Sequence, residues 1–333
     1  MIDRNLMVQI ESLRSKMNIK ENLIRAITFN QPDHIPYYNE GGIQNIYYND
    51  CWPPEKGEDN WGVGWEKKIE TSIPYCVAHP YDDINELLKT YKFPDPHRAG
   101  IMEGIDADID AENNFIIAWQ IHTLFERSWQ LLGLENVMMA MAVDQDALAQ
   151  LYSKIADYQI EIAKQYVKLD IDAVFIGDDY GSQKALIMSP AVWRKLIKPE
   201  LARIFAVYKE AGKFVIFHSC GCVMDIVGDL AEIGVDVLNP VQAHCNDLAK
   251  LKKEFGNKLS FWGGVDTQHT MTMGTPDEVR SETLLRIKEV GDGGGYIIAP
   301  DQTMPFPQEN IDAFVETVKL HGKYSDAAVR GCS

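Results

Sequence analysis

"KFVIFHSCGC", residues 213–222, opens as a short continuous apolar run and stops at a histidine and two cysteines. An apolar run of this length between Gly212 and Gly221 reads as a strand buried on both faces. Strands of that kind belong to parallel sheets covered by helices, and the flanking sequence supplies both. Upstream, "FIIAWQ" (115–120) and "DAVFIG" (172–177) repeat the pattern; downstream, "VDVLNP" (235–240), "LSFWGG" (259–264) and "GYIIAP" (295–300) continue it. Helical runs lie between them. Leu148, Leu151, Ile155, Tyr158, Ile162, Tyr166 and Leu169 recur at helical spacing along 145–168. Ser189-Pro190 supplies an N-cap and a first-turn proline. Thr275-Pro276-Asp277-Glu278 reads as a capping box, and Gly291 stands where a C-cap glycine belongs.

Six apolar strands alternating with helices predict an α/β fold. "HIPYYNEGG" (34–42) is a candidate further strand and 62–78 could hold another, and eight units would close a TIM (β/α)8 barrel. A doubly wound open sheet is the alternative, but no GxGxxG fingerprint follows any strand. The expected organisation is one barrel domain over 1–333, with an N-terminal helical extension (1–30) and an insertion or lid (49–110) rich in Pro, Asp and Trp.

Composition narrows the function classes. The formal net charge of -17 argues against nucleic-acid or anionic-membrane partners, whose phosphates require clustered Lys and Arg. No run of eighteen apolar residues is present, and the first twenty residues read as a charged amphipathic start, so a cytoplasmic protein is expected. Six cysteines in 333 residues are too sparse for a disulfide scaffold.

The strand ends carry the chemistry. Gln120 and His122 follow the first of the six, Asp178 and Asp179 the second, His218 and Cys220 the third. Asn239, Gln242 and His244 follow the fourth, Asp266 the fifth, and Asp301 with Gln302 the sixth. In a (β/α) barrel all of these ends surround one mouth, where active sites are built. His218 and Cys220 lie two apart and point the same way, about 6.6 Å apart along an extended backbone, within the reach of two zinc ligands. Asp301, Asp179 or Cys245 could add a third ligand, with Cys222 a weaker candidate. Without a metal, Cys220 is a buried thiol and His218 bonds a carboxylate. Adjacent carboxylates point to opposite faces, so one of Asp178 and Asp179 faces the mouth as acid, base or ligand, and the other is a structural acceptor. Gln120, Asp178, Asn239, Gln242 and Asp266 are candidate substrate-binding residues, and Asp179 and His122 candidate acids. Trp52, Trp61 and Trp65 in the insertion either cover an aromatic ligand or pack the insertion onto its domain.

"GDDYGSQKALIMSPAVWRKLIKPEL" (177–201), "GKFVIFHSCG" (212–221), "LAEIGVDVLNPVQ" (230–242) and "GGGYIIAP" (293–300) together resemble the uroporphyrinogen decarboxylase superfamily, nearest its corrinoid-linked methyltransferase branch. The resemblance spans about residues 115–325 and implies a TIM barrel. Decarboxylases of the family bind a polyanionic porphyrinogen with an arginine-rich segment near the N-terminus. Here the corresponding "PDHIPYYNEGGIQNIYY" (32–48) has no arginine. The methyltransferases bind Zn2+ through a His-x-Cys strand end and a later cysteine. His218 and Cys220 match the first two; the third position has no cysteine, and Asp301 or Gln302 stands near it. An oxygen ligand would harden the zinc, favouring an ether oxygen over a thiolate. The resemblance thus implies a methyltransferase moving a methyl group from a methoxylated aromatic to the Co(I) corrinoid (cobalamin) of a partner protein, as in O-demethylase systems. The expected partners are that corrinoid protein and a small-molecule methyl donor, with a homodimer left open. Methylation of coenzyme M, porphyrinogen decarboxylation and a non-catalytic binding role are the alternatives.

Overall fold

A computed structural model describes residues 17–70 and 72–324. Seven strands form one parallel sheet in the spatial order β1 (Ile43–Tyr47), β5 (Phe115–Gln120), β6 (Ala173–Gly177), β7 (Phe214–His218), β8 (Val237–Asn239), β9 (Ser260–Val265) and β10 (Tyr296–Pro300). The remaining three, β2 (Lys56–Glu58), β3 (Gly64–Glu66) and β4 (Tyr75–Ala78), make a separate antiparallel sheet.

The large sheet curls on itself, and the chain shows why. Tyr38 N–H donates to Ile298 O and Ile298 N–H to Pro36 O, so residues 36–38 lie along β10 at one edge. Five residues later β1 begins at the opposite edge. Five extended residues span at most about 18 Å, whereas a flat seven-stranded sheet would hold its edges about 29 Å apart. The edges must therefore approach each other. The result is a TIM-barrel-like α/β fold.

Two sequence expectations are corrected here. The stretch 34–42 contributes two isolated bridges, His34 to Lys323 and Tyr37 to Ile298, and the strand starts at Ile43. The strands inside 62–78 belong to the small antiparallel sheet and not to the barrel. Two of the helical runs between strands are also broken. The run 124–142 divides at Gly133, whose φ of 82° ends one helix, and the run after Pro190 divides at Ile197, ahead of Pro199. The Thr275–Glu278 capping box and the Ser189 cap form as read.

Strand parity decides which side chains enter the barrel. Phe115, Ile117, Ala173, Phe175, Ile216, Val237 and Ile297 share one apolar cluster with Leu23 and Ile27 of the helix Ile19–Ile27. That helix stoppers the end of the barrel opposite the strand C-termini: Ala26 O accepts Gly295 N–H, and Ile27 O accepts the Ser260 hydroxyl. The alternate residues, among them Ile116, Val174, Val215, Phe217 and Leu238, face outward into the larger core beneath the helices. Burying this second set makes the shell and leaves the open end for function.

Candidate metal centre at the barrel mouth

His218 and Asn239 keep the parity of Ile216 and Val237, so both side chains enter the barrel at its upper end. His218 Nδ1 donates to Asn239 Oδ1 at 2.7 Å. Asn239 Nδ2 donates to Trp262 O, which fixes the amide so that its oxygen faces the imidazole. The proton is thereby placed on Nδ1, and Nε2 is left with a free lone pair. That lone pair lies 3.5 Å from Cys220 Sγ and 3.6 Å from Asp179 Oδ1. Donor atoms of Asp179, His218 and Cys220 all fall within 4.8 Å of one another, and among the described residues these three form the group able to hold a metal ion. Tetrahedral zinc with bonds of 2.0–2.3 Å separates its ligands by about 3.3–3.8 Å. Both separations from His218 Nε2 fall in that range, and one nitrogen, one sulfur and one oxygen suit that ion chemically.

Two loops carry these donor groups, and they cross backbone to backbone. Gly181 N–H donates to Cys220 O, Cys222 N–H to Ser182 O, and Cys220 N–H to Asp179 Oδ1 at 2.7 Å. A Cβ on Gly221 (φ 82°) would lie 2.4 Å from Gly181 C and O, and one on Gly181 would lie 2.5 Å from Cys220 O. Gln242 Oε1 accepts Gly221 N–H and Asn246 Oδ1 accepts Val223 N–H, anchoring the crossing from the next loop. Burial pushes the Cys220 thiol well up, with Asp179 and Glu126 adding to the shift, while the Gln302 amide pulls it down. Gln302 Nε2 reaches Cys220 Sγ at 3.0 Å.

Beside the group stands an aromatic tier. Trp119 stacks on Phe175 with ring centroids 4.0 Å apart, and Phe175 lies 5.4 Å from the His218 ring and 6.5 Å from Trp262. Tyr47 and Trp52 extend the wall, 5.6 and 5.8 Å from Trp119. Of the three insertion tryptophans only Trp52 keeps an open face, 44% exposed against 4% for Trp61 and Trp65. Trp61 packs on Tyr158 and under the Arg127 guanidinium, and Trp65 packs edge-on to His122. Those two hold the small sheet to the barrel.

The remaining candidates are placed as follows. Asp301, offered from sequence as a third ligand, is buried outside the group of three, its Oδ1 taken by Gly264 N–H at 2.8 Å. Burial, helped by Glu282 and Asp266, pushes its carboxyl up to about 7 against the pull of that N–H. Asp178 is fully buried and accepts from the N–H groups of Leu124, Phe125 and Glu126 and from the Tyr180 hydroxyl. It organises the start of the helix Phe125–Leu132 and presents no atom to a ligand. Gln120 has outward parity and is sealed between Gln159 and Tyr208. Asp266 caps the backbone of 268–270. His122 lies against Gln130 beneath Trp65, and burial drives its pKa well below the usual value, leaving it neutral. Cys222 and Cys245 also lie outside the group.

Glu126 escaped the sequence reading. Burial, with Asp179 and Asp178 close by, raises its carboxyl well above the usual range. Its place, just after the C-terminal end of β5, was the available signal.

The strand-end site on a parallel barrel defines a class, and comparison with known proteins gives it a family. Residues 128–321, more than half of the chain, match the model of the uroporphyrinogen decarboxylase (URO-D) family, and the chain belongs to that family. It is similar to the methylcobamide:CoM methyltransferase MtaA of Methanosarcina barkeri, 25% identical over 187 residues, covering 56% of this chain and 52% of that protein. It is likewise 26% identical over 181 residues to a uroporphyrinogen decarboxylase of Chlorobium phaeobacteroides, covering 52% and 48%. The chain thus spans about half the length of these curated relatives. A solved methyltransferase from Methanosarcina mazei superposes with a TM-score of 0.70 at 18% identity, over 92% of this chain and 99% of that one, and bears out the fold. No helix among the described residues is long and apolar enough to cross a membrane.

Proposed function

We propose that the chain is a methyltransferase that moves a methyl group from a small methoxylated aromatic donor to the Co(I) corrinoid of a separate protein, as in O-demethylase systems. Asp179, His218 and Cys220 would hold a zinc ion at the mouth, with Asp179 in the place that Asp301 was expected to take. Bound there, zinc supplies Lewis acidity to the ether oxygen of the donor. The observation that carries the reading is the Asp179–His218–Cys220 donor set at ligand spacing.

The chain's own residues do the rest. Asn239 holds His218 in the tautomer that leaves Nε2 free. The open faces of Tyr47 and Trp52, beside Trp119, receive the donor ring. As the methyl passes to the Co(I), its bond to oxygen breaks with the electron pair left on oxygen, and Glu126, buried beside Asp179 and Asp178, is the candidate proton source for the leaving phenolate. The insertion, resting on Trp61 and Trp65, lies over one side of the mouth as a lid.

A second reading, methylation of a thiol such as coenzyme M, is favoured by the name of the M. barkeri relative. The carboxylate in the donor set favours the ether instead, because oxygen ligands leave the ion harder than sulfur does. The absence of arginine from 32–48 counts against a porphyrinogen substrate. Elemental analysis of untagged protein, with a screen of methoxylated aromatics and a reduced corrinoid protein, tests the proposal. Near-stoichiometric zinc and release of the free phenol are expected, and both should vanish in His218→Ala and Cys220→Ala. Full zinc retained by both variants would refute the assignment.

A further inference from the structure

Gln302 reaches across from the loop after β10 and places its amide Nε2 3.0 Å from Cys220 Sγ. Asp301, its neighbour, is buried and already held by Gly264, so this loop brings to the centre a nitrogen that can donate and cannot ligate. Gln302 Nε2 is the side-chain donor from this loop that meets Cys220 Sγ, and residues 302–305, Gln302 among them, are exposed. Cys220 is the one anionic sulfur the group of three can offer, so its donor strength largely decides how electron-poor a bound cation becomes.

We infer that Gln302 is a positioning residue for the metal centre, whose N–H···S bond withdraws electron density from the Cys220 sulfur and keeps the bound cation a strong Lewis acid. The inference rests on the metal reading of Asp179, His218 and Cys220. Hydrogen bonds to a ligand sulfur tune metal sites without touching the metal. A Gln here leaves the cation electrophilic, which serves an ether oxygen; a thiol-activating site gains by the opposite choice.

The test is Co2+ substitution of the whole chain, followed by the sulfur-to-cobalt charge-transfer absorption, a readout independent of turnover. In Gln302→Ala and Gln302→Leu the sulfur loses its donor, and the band is expected at longer wavelength than in the wild type. Gln302→Lys restores an N–H donor and is expected to bring the band back to the wild-type side. A band at one wavelength in all four proteins overturns the role of Gln302 while leaving the metal centre intact. No charge-transfer band in the wild type, with Co2+ in excess, overturns the metal reading itself and this inference with it. Circular dichroism of the variants separates either result from misfolding. A folded Gln302→Lys whose band stays with Ala and Leu also counts against the inference.

Discussion

Asp178 and Asp179 are adjacent and chemically identical, yet their removal should have opposite consequences. Asp178→Ala deletes the acceptor for Leu124 N–H (3.0 Å), Phe125 N–H (2.8 Å), Glu126 N–H (2.8 Å) and the Tyr180 hydroxyl (2.6 Å). A buried donor left unpaired costs about 1–3 kcal/mol. A water entering the vacated space can satisfy one or two of the four, so the net loss should be about 3–5 kcal/mol. Against a folding free energy of about 5–15 kcal/mol that is a large share. Asp179 has a side chain 40% exposed and accepts a single backbone N–H, from Cys220. Its removal should cost about 1 kcal/mol and abolish metal binding. Urea titrations of both variants and the wild type, followed by tryptophan fluorescence with a chelator present, isolate the fold from metal linkage. Equal destabilisation by the two substitutions, or a loss below about 1 kcal/mol for Asp178→Ala, would refute this division of labour.

Three more outcomes follow from the geometry. Asn239→Leu removes the acceptor that fixes His218 and should weaken zinc binding by about 10–100-fold in a chelator competition. Burial pushes Asp301 up to about 7, so the folded state keeps its proton over a range where the unfolded chain, titrating near 3.8, has lost it. Its contribution to wild-type stability therefore falls as pH rises from about 4 to about 7 and then levels. Asp301→Asn keeps the oxygen facing Gly264 N–H and lacks this slope. Its stability relative to wild type should rise by on the order of 2–4 kcal/mol between about pH 4.5 and pH 8, and denaturant titrations showing a constant difference would contradict it. Trp52→Ala removes a ring 44% exposed but packed on Tyr47 and Trp119, and should lower the melting temperature by no more than a few degrees while raising KM for an aromatic donor about 2–10-fold.

The strands could be read because each is a pure apolar run between turn signals, and "FIIAWQ" became β5 without a residue of error. The edge of the barrel could not, since Tyr37 contributes one bridge that only long-range pairing with Ile298 creates. His218 and Cys220 stood out by spacing. Counting parity one step further would have turned Gln120 outward and separated Asp178 from Asp179, because the inward register runs through Ile117 and Phe175. Asp301 shares inward parity, and what removes it from the ligand group is a hydrogen bond to Gly264, invisible in the sequence. The aromatic wall was hidden for another reason: Tyr47, Trp52, Trp119, Phe175 and Trp262 are scattered over 216 positions of chain and meet only when the sheet curls.

The crossing of Gly181 and Gly221 makes Asp179 and Cys220 an inseparable pair. With no room for even one methyl between the two loops, neither can lengthen or tilt without dragging the other, so oxygen and sulfur move as one unit. A change at this site is therefore more easily made by exchanging a donor side chain in place, or in the loop after β10, whose residues 302–305 are exposed.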